Sequence, residues 1–245
     1  ILSSISKTVT ATALMQLFEN GLFDLDDDID NYLPFNVNHP DYPLVPITFK
    51  MLLTHSSGIQ DNWSVMTYYD GDSQLELSYY LNQYFTPGGE FYSSNLNFTN
   101  SMPGTDYRYT NNGAALIGLL VEEISNQLFN DYCTENIFDP LSMDNAFWFL
   151  SEIDNLNQVA SPYQVTGGSG DSCFIIGCGF YDQSNPCFCD SACLNYEDCC
   201  SDYEEICGED GTGSNPGNLT EYENYGYSDY PSGQLRTTSN NLAKF

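Results

Sequence analysis

Apolar residues recur at helical spacing along several segments of the chain. Residues 4–20 carry them on one face, and Gly21 suits the end of such a helix. The same pattern predicts further helices over residues 47–53, 74–84, 112–126 and 127–137. The acidic stretch 24–30 lacks the glycine and the terminal glutamate of a calcium-binding EF-hand loop, so we interpret it as a solvated turn.

Changes in composition divide the chain into a main domain and an insertion. Residues 61–106 are rich in Tyr, Asn, Ser and Gly, which predicts a long excursion from the core of the main domain. Residues 166–215 change more abruptly, to a composition of Gly, Ser and Cys. We therefore predict one domain made of residues 1–165 and 216–245, with residues 166–215 inserted as a small module.

The balance of charge is strongly acidic. The sequence has 34 acidic residues against 5 basic ones, which gives a net charge of -29. This charge repels phosphate backbones and anionic lipid surfaces, so we exclude nucleic acid as a partner. No apolar run approaches the roughly 18 residues that a membrane-spanning helix needs. A hydrophobic content of 41% still allows a sizeable core.

The cysteines of the chain indicate an oxidising compartment. Eight of the 9 cysteines lie between residues 173 and 207, whereas Cys133 stands apart. Three Asn-x-Ser/Thr triplets, which begin at Asn62, Asn97 and Asn218, predict glycosylation and agree with that setting. We therefore predict a secreted, extracellular protein. The cysteine-rich segment has no histidine, which makes zinc the weaker alternative to disulfides, and we predict neither a metal nor a cofactor.

Ser4 and Lys7 form an S-x-x-K motif at the start of the first predicted helix. Positions i and i+3 share a helix face, so the lysine amine would lie beside the serine hydroxyl. A serine hydroxyl becomes a good nucleophile when a neighbouring base takes its proton, and the start of a helix favours the negative charge that then develops. The alternative is a plain helix start, with Ser4 as a cap and Lys7 exposed, because such a short motif also arises by chance.

Tyr109 and Asn111 form the second candidate motif, Y-x-N. The same triplet occurs at residues 80–82 and 222–224, but only the first is followed by Asn-Gly and a strongly apolar helix. A tyrosine acts as a base near neutral pH only beside a cation, and Lys7 is the obvious one. The alternative is a surface tyrosine in a loop.

The order of these motifs resembles that of serine β-lactamases, penicillin-binding proteins and related esterases. The stretches that carry the resemblance are residues 4–11, 47–59, 109–118, 136–143 and 232–245. The resemblance implies an α+β, β-lactamase/transpeptidase-like fold, represented mainly by its helical subdomain, plus the small disulfide-rich insert. It implies that Ser4 is the nucleophile of an acyl-enzyme and that Lys7 and Tyr109 move protons. Asn111 would bind the substrate.

Neither histidine is predicted to be catalytic. In the families that the chain resembles, the turn that contains His55 is structural. His39 lies in a Pro-rich loop and has no partner that the sequence makes evident.

The resemblance leaves the substrate open. The third motif of these families, K-T-G or H-x-G on a strand beside the nucleophile, is not found in the sequence, so we expect a fragment of a longer protein. We predict a secreted serine hydrolase that acts through an acyl-enzyme on a small-molecule or peptide amide or ester, such as a β-lactam, a D-alanyl peptide or an ester. The alternative is a catalytically silent extracellular structural or protein-interaction component on the same scaffold, which the insert and the acidity favour.

The spacing of the clustered cysteines resembles that of the somatomedin-B module. These residues are Cys173, Cys178, Cys187, Cys189, Cys193, Cys199, Cys200 and Cys207. The resemblance implies a disulfide-bonded core over residues 173–207 and a surface for a protein partner, although the module can equally be a rigid structural insert. Eight cysteines permit many pairings, and the sequence does not choose among them.

We predict four disulfides within residues 173–207, with Cys133 outside that network. A segment this short cannot bury an adequate core, and each bridge contributes roughly 2–4 kcal/mol by restricting the unfolded chain. Reduction is therefore expected to melt this module first, while the helical part persists. Peptide mapping of the non-reduced protein checks the pairing, and free thiols in the segment or a bridge to Cys133 would contradict it.

Overall fold

The computed structural model describes residues 1–160, 163–166, 199, 218–221 and 224–245. Its contacts divide the chain into two units. The first unit is Ile1–Gln158 together with Tyr225–Phe245, and the second is Val159–Asn224. Of the eight clustered cysteines, Cys199 is the one that falls within the described residues, and the other seven cysteines of the predicted disulfides lie outside them.

Helices provide most of the regular structure in the first unit. They are α1 (Ser6–Glu19), α2 (Phe49–Leu53), α3 (Leu77–Phe85), α4 (Asn111–Ser125), α5 (Phe129–Cys133) and α6 (Ser239–Leu242). The helices predicted over residues 4–20 and 112–126 are confirmed, with small shifts at their ends. The segment predicted to be helical over residues 127–137 is α5 followed by a π-helical turn at Thr134–Phe138. None of the described helices is long and apolar enough to cross a membrane.

Short 3-10 turns connect these helices. They lie at Ser3–Ile5, Ile29–Asn31, Leu150–Glu152, Leu156–Gln158 and Tyr230–Ser232. The first of them precedes α1 directly, and its residue Ser3 has a positive φ of 50°. The chain therefore bends sharply just before α1, and Ser4 lies in that bend.

The described strands form three antiparallel pairs. They are β1 (Tyr68–Asp70), β2 (Ala146–Phe147), β3 (Tyr163–Thr166), β4 (Asn218–Glu221), β5 (Tyr225–Tyr227) and β6 (Arg236–Thr237). β1 pairs with β5 and β2 pairs with β6 in the first unit, while β3 pairs with β4 in the second. Each pair in the first unit joins residues before the insert to residues after it, which ties the chain together on both sides of the insert.

α4 is the central helix of the first unit. Every residue from Asn112 to Val121 is buried, as expected for a helix that is apolar all round. The helix begins where the Thr110 side chain accepts a hydrogen bond from the Gly113 amide, and it ends at Asn126 in the left-handed conformation. α1 packs against it through an apolar face. The buried apolar residues of α1 are Val9, Ala13, Leu14 and Leu17.

Two of the predicted glycosylation sites are buried amides. Asn97 is 0% exposed and Asn62 is 5% exposed. The Asn97 amide nitrogen donates to the carbonyls of Tyr84 and Phe91, each at 2.8 Å, and the Asn62 nitrogen donates to the Asn97 amide oxygen at 2.9 Å. A sugar would have to bond to these same nitrogens, so the prediction of glycans at Asn62 and Asn97 does not fit the folded chain. Asn218, at the start of β4, stays a prediction.

His39 has partners that the sequence did not reveal. The ring is fully buried, and its Nε2 donates to the Thr99 carbonyl at 3.0 Å while Nδ1 accepts from the Asp41 amide at 3.2 Å. Burial lowers the pKa of His39, which favours the neutral ring that this pattern requires. His39 therefore holds a loop in place through two partners that the sequence did not make evident.

The acidic stretch 24–30 is a hydrogen-bonded turn rather than a merely solvated one. The Asp27 carboxylate accepts from the Asp24 amide and from the Tyr32 hydroxyl. The Asp30 carboxylate accepts from the Val37 amide at 2.8 Å. Carboxylates that bond to backbone amides stabilise such turns, so this stretch shapes the connection between α1 and α2.

Gly118→Ala is expected to destabilise the first unit. A Cβ at Gly118 would lie 2.6 Å from Pro231 Cγ and 2.7 Å from Pro231 Cβ, and the proline ring cannot rotate away. We expect the free energy of unfolding to fall by about 1–3 kcal/mol, which outweighs the helix propensity of alanine. Urea unfolding measures this change. Glu123→Ala, at an exposed position on the same helix, is the matched control, and equal stability of the two variants would contradict the prediction.

Candidate active site

Ser4, Lys7 and Tyr109 come together at the start of α1. The Tyr109 hydroxyl donates to Ser4 Oγ at 2.7 Å, and Lys7 Nζ lies 3.4 Å from the same oxygen. Lys7 Nζ also lies 4.8 Å from the centre of the Tyr109 ring. The two motifs, which are about a hundred residues apart in sequence, therefore meet at one hydroxyl.

The Lys7 ammonium is held in place by two further oxygens. It donates to Asn111 Oδ1 and to the Ser232 carbonyl, each at 2.7 Å. An ammonium has three donors, and these contacts together with Ser4 occupy all of them. Lys7 is half-buried, unlike the exposed lysine of a plain helix start. The structure therefore fixes the position of the amine relative to the serine.

Asn111 is bonded within the chain at both ends of its amide. Its oxygen accepts from Lys7, and its nitrogen donates to Asp61 Oδ2 at 2.9 Å. The predicted substrate-binding residue thus orients the lysine in this structure. It also lies in the lining of the cavity beside Ser4, where a substrate would meet it.

Asp61 is a site residue that sequence reasoning missed. Its carboxylate accepts from the Thr110 hydroxyl and from the backbone amides of Asn111 and Asn112, at distances of 2.8 to 3.0 Å. A carboxylate at this place compensates the positive end of α4. Nothing in the sequence distinguishes Asp61 from the other acids, because its partners lie about fifty residues further on.

The turn at Tyr230–Ser232 presents the carbonyl that binds Lys7. The Thr10 hydroxyl of α1 donates to the Pro231 carbonyl at 2.6 Å, which docks the turn on the helix. The Ser232 hydroxyl donates to the Asp229 carboxylate at 2.6 Å. Asp229 is 4% exposed, and burial raises its pKa to about 6, although the Ser232 hydrogen bond opposes the rise.

His55 supports the site from a turn. It has a positive φ of 54°, its ring lies 4.7 Å from that of Tyr109, and its Nδ1 accepts from the Thr110 amide at 3.4 Å. Burial lowers the pKa of His55, and the charge of Lys7 lowers it further. The neutral ring therefore packs against Tyr109 and does not touch Ser4 within hydrogen-bond distance.

The Ser4 hydroxyl opens onto a cavity of about 390 Å³. The bend that carries it is fixed on the far side, where the Leu2 amide donates to the Leu235 carbonyl at 2.8 Å and the Leu235 amide donates to the Ser6 hydroxyl at 3.2 Å. In the part of the chain that the structure describes, no group of His, Cys, Asp and Glu is placed to hold a metal ion. The site therefore consists of a fixed, accessible hydroxyl with two proton-carrying neighbours.

A family model described as Beta-lactamase matches residues 2–245 of the chain. The chain belongs to the β-lactamase family. Among curated relatives, lovastatin esterase from Penicillium rubens is 30% identical over 174 residues, which is 62% of this chain and 40% of the esterase. Protein flp from Staphylococcus aureus is 27% identical over 171 residues, 69% of this chain and 31% of that protein. The chain thus spans less than half the length of these relatives.

Comparison with a solved structure shows the fold of the chain. The D-amino acid amidase from Ochrobactrum anthropi SV3, complexed with D-phenylalanine, superposes with a TM-score of 0.58 at 20% identity. The likeness covers 100% of this chain and 55% of the amidase. The predicted β-lactamase/transpeptidase-like fold is thereby confirmed.

Asp229→Asn is expected to raise the free energy of unfolding at pH 7. The pKa of Asp229 in the folded chain, about 6, lies above its ordinary value of 3.8. The stability that this group contributes is therefore fully present below about pH 4 and is lost as the pH rises through 6. The asparagine amide keeps an oxygen that accepts from the Ser232 hydroxyl, but it does not ionise, so the loss of stability at higher pH disappears. The free energy of unfolding at pH 7 is therefore expected to rise by up to roughly 3 kcal/mol.

Urea unfolding at pH 4 and pH 7 measures this difference. The gain is expected to shrink towards zero at pH 4, where wild-type Asp229 is protonated. Asp106→Asn, at an exposed position, is the control and is expected to change stability little at either pH. A gain that is the same at both pH values, or a loss at pH 7, would contradict the linkage.

Proposed function

We propose that this chain carries the nucleophile of a serine hydrolase that forms an acyl-enzyme from an ester or an amide. The observation that carries the proposal is the single oxygen, Ser4 Oγ, that both Tyr109 and Lys7 reach. Membership of the β-lactamase family supports it. The relatives named as an esterase and an amidase support a carbonyl substrate with an oxygen or a nitrogen leaving group.

Acylation begins when Ser4 Oγ attacks the carbonyl carbon of the substrate. In the structure the Tyr109 hydroxyl donates to Ser4 Oγ, so the reactive state needs Tyr109 as the phenolate. The serine proton then passes along the same 2.7 Å contact to the phenolic oxygen as the Oγ–C bond forms. The protonated tyrosine then gives this proton to the leaving group as the C–O or C–N bond breaks. The Lys7 ammonium, held near the ring, stabilises the phenolate during the cycle.

Deacylation reverses these roles with water in place of the leaving group. Tyr109 takes a proton from the water that attacks the ester carbonyl, and the proton returns to Ser4 Oγ as the acyl–Oγ bond breaks. Asn111 and Ser232 keep Lys7 in the same place throughout, because both accept from its ammonium. The serine is therefore regenerated without rearrangement of the described site.

Secretion and the cysteine module belong to the same proposal. The 9 cysteines, eight of them in one short segment, support an oxidising extracellular setting. The resemblance of residues 173–207 to a somatomedin-B module supports a disulfide-bonded insert that offers a surface to a protein partner. This insert would be added to the hydrolase domain and would not take part in the chemistry.

A fluorophosphonate probe is expected to label wild-type protein at Ser4, as located by peptide mapping. Ser4→Ala is expected to abolish labelling, and Tyr109→Phe to slow it about a hundredfold, since a positioned base typically contributes 10²–10⁴ in rate. Ser94→Ala, at an exposed serine on another part of the chain, is the matched control and is expected to label like wild type.

Two outcomes would overturn the proposed function. Labelling that persists in Ser4→Ala would place the reactive serine elsewhere. A folded wild-type protein that neither labels nor hydrolyses simple esters would favour the silent extracellular scaffold instead.

A further inference from the structure

A cluster of tyrosines covers one face of the β1–β5 strand pair. Tyr68 of β1 lies opposite Tyr227 of β5. Tyr225 lies two residues before Tyr227 on β5, so the side chains of Tyr225 and Tyr227 point to the same face. The Tyr68 ring centre is 5.5 Å from that of Tyr225 and 5.8 Å from that of Tyr227, both in edge-to-face arrangement. Aromatic rings favour this geometry, which holds the three side chains together.

This cluster forms one wall of the cavity that contains Ser4. Trp63 extends the wall, and both Trp63 and Tyr68 are 64% exposed. The cavity volume of about 390 Å³ lies within the range of about 300–1,000 Å³ that is usual for small-molecule sites. Large aromatic surface left open beside a reactive hydroxyl is typical of a surface that contacts a ligand.

Tyr227 joins this wall to the turn that holds the catalytic lysine. A Cβ placed on Gly233 would lie 2.4 Å from the Tyr227 hydroxyl oxygen, so the tyrosine packs directly against the glycine backbone. Gly233 follows Ser232, whose carbonyl accepts from Lys7. The aromatic wall is therefore fixed relative to the site and not merely near it.

The carboxylates of the cavity offer little for ion pairing. The Asp61 carboxylate is taken up by donors at the start of α4, and the buried Asp229 carboxylate accepts from Ser232. Arg108 is the cationic side chain among the described lining residues, and it is exposed. The net charge of -29 disfavours anionic substrates at longer range. Arg108 is not part of the aromatic wall, whose side chains are uncharged, so recognition at the wall itself depends on apolar contact.

We propose that Trp63, Tyr68, Tyr225 and Tyr227 form a subsite for an uncharged, aromatic acyl group of the substrate. The inference rests on the proposed function, because it names the kind of ester or amide whose carbonyl Ser4 attacks. The acyl group remains bonded to Ser4 throughout the acyl-enzyme stage, so a wall fixed beside the site contacts it in both steps. A phenyl ring fits the edge-to-face pattern that the tyrosines already show.

Hydrolysis of three p-nitrophenyl esters tests the subsite with a constant leaving group. The phenylacetate is expected to exceed the acetate in kcat/KM by about tenfold, and the anionic succinate monoester is expected to be the poorest substrate. Tyr68→Ala and Trp63→Ala are expected to lower kcat/KM for the phenylacetate by about tenfold and for the acetate by less than about twofold. Both positions are exposed, so folding is not at risk.

Tyr79→Ala is the matched control for these variants. Tyr79 is an exposed tyrosine of α3 that does not line the cavity, and its removal is expected to leave the preference among the three esters unchanged. Equal activity of wild-type protein on phenylacetate and acetate, or a preference that survives both Tyr68→Ala and Trp63→Ala, would overturn the subsite.

A binding measurement separates the subsite from the reaction. The chain has 2 tryptophans, of which Trp63 lines the cavity and Trp148 is buried in the core. A change in fluorescence on binding is therefore expected to come from Trp63. Ser4→Ala is expected to respond to methyl phenylacetate at about tenfold lower concentration than to methyl acetate. Such selective binding without any reaction at wild-type Ser4 would overturn the proposed function and support the subsite. Reaction at Ser4 with equal binding of the two esters would do the reverse.

Discussion

The hydrogen bonds of the Lys7 ammonium are the constraint on which the site depends. They join Ser4 in the bend before α1, Asn111 at the start of α4 and the Ser232 carbonyl in a turn near the far end of the sequence. A charged amine that is half-buried must keep its donors satisfied, because unmet bonds are costly there. Bringing these three oxygens together therefore fixes α1, α4 and the turn in one relative arrangement.

The remaining polar contacts of the site act on the partners of Lys7 rather than on Lys7 itself. The Asp61 carboxylate accepts from both the backbone amide and the side-chain amide of Asn111. Asp229 holds the Ser232 hydroxyl, and Thr10 holds the turn against α1. Two of the three acceptors of the ammonium, Asn111 and the turn at Ser232, are thus held by further hydrogen bonds, which keeps Lys7 in place beside the serine hydroxyl.

How much the sequence predicts depends on the distance over which its signals act. The periodicity of residues 112–126 and the S-x-x-K spacing are local, so α4 and the pairing of Ser4 with Lys7 could be predicted. The role of Asp61 depends on contacts about fifty residues away, and no local pattern marks it among 34 acids. At Asn97 a local pattern misled: the Asn-x-Thr triplet predicted an exposed glycosylation site, but the Asn97 amide is buried by contacts that the triplet does not reveal.

The excursion over residues 61–106 is fixed to the core at its ends and by the buried helix α3, whereas residues 63–68 within it are largely exposed. Asp61 binds the start of α4, and Ile59 bridges to Phe98, so the two ends meet at the core. The exposed side chains of residues 63–68 make none of the hydrogen bonds that position Ser4, Lys7 and Tyr109, so substitutions there are expected to leave the nucleophile and its neighbours where they are. Such a loop can diverge between related genes while the chemistry stays constant, which makes it a natural route to new substrate preferences within this scaffold.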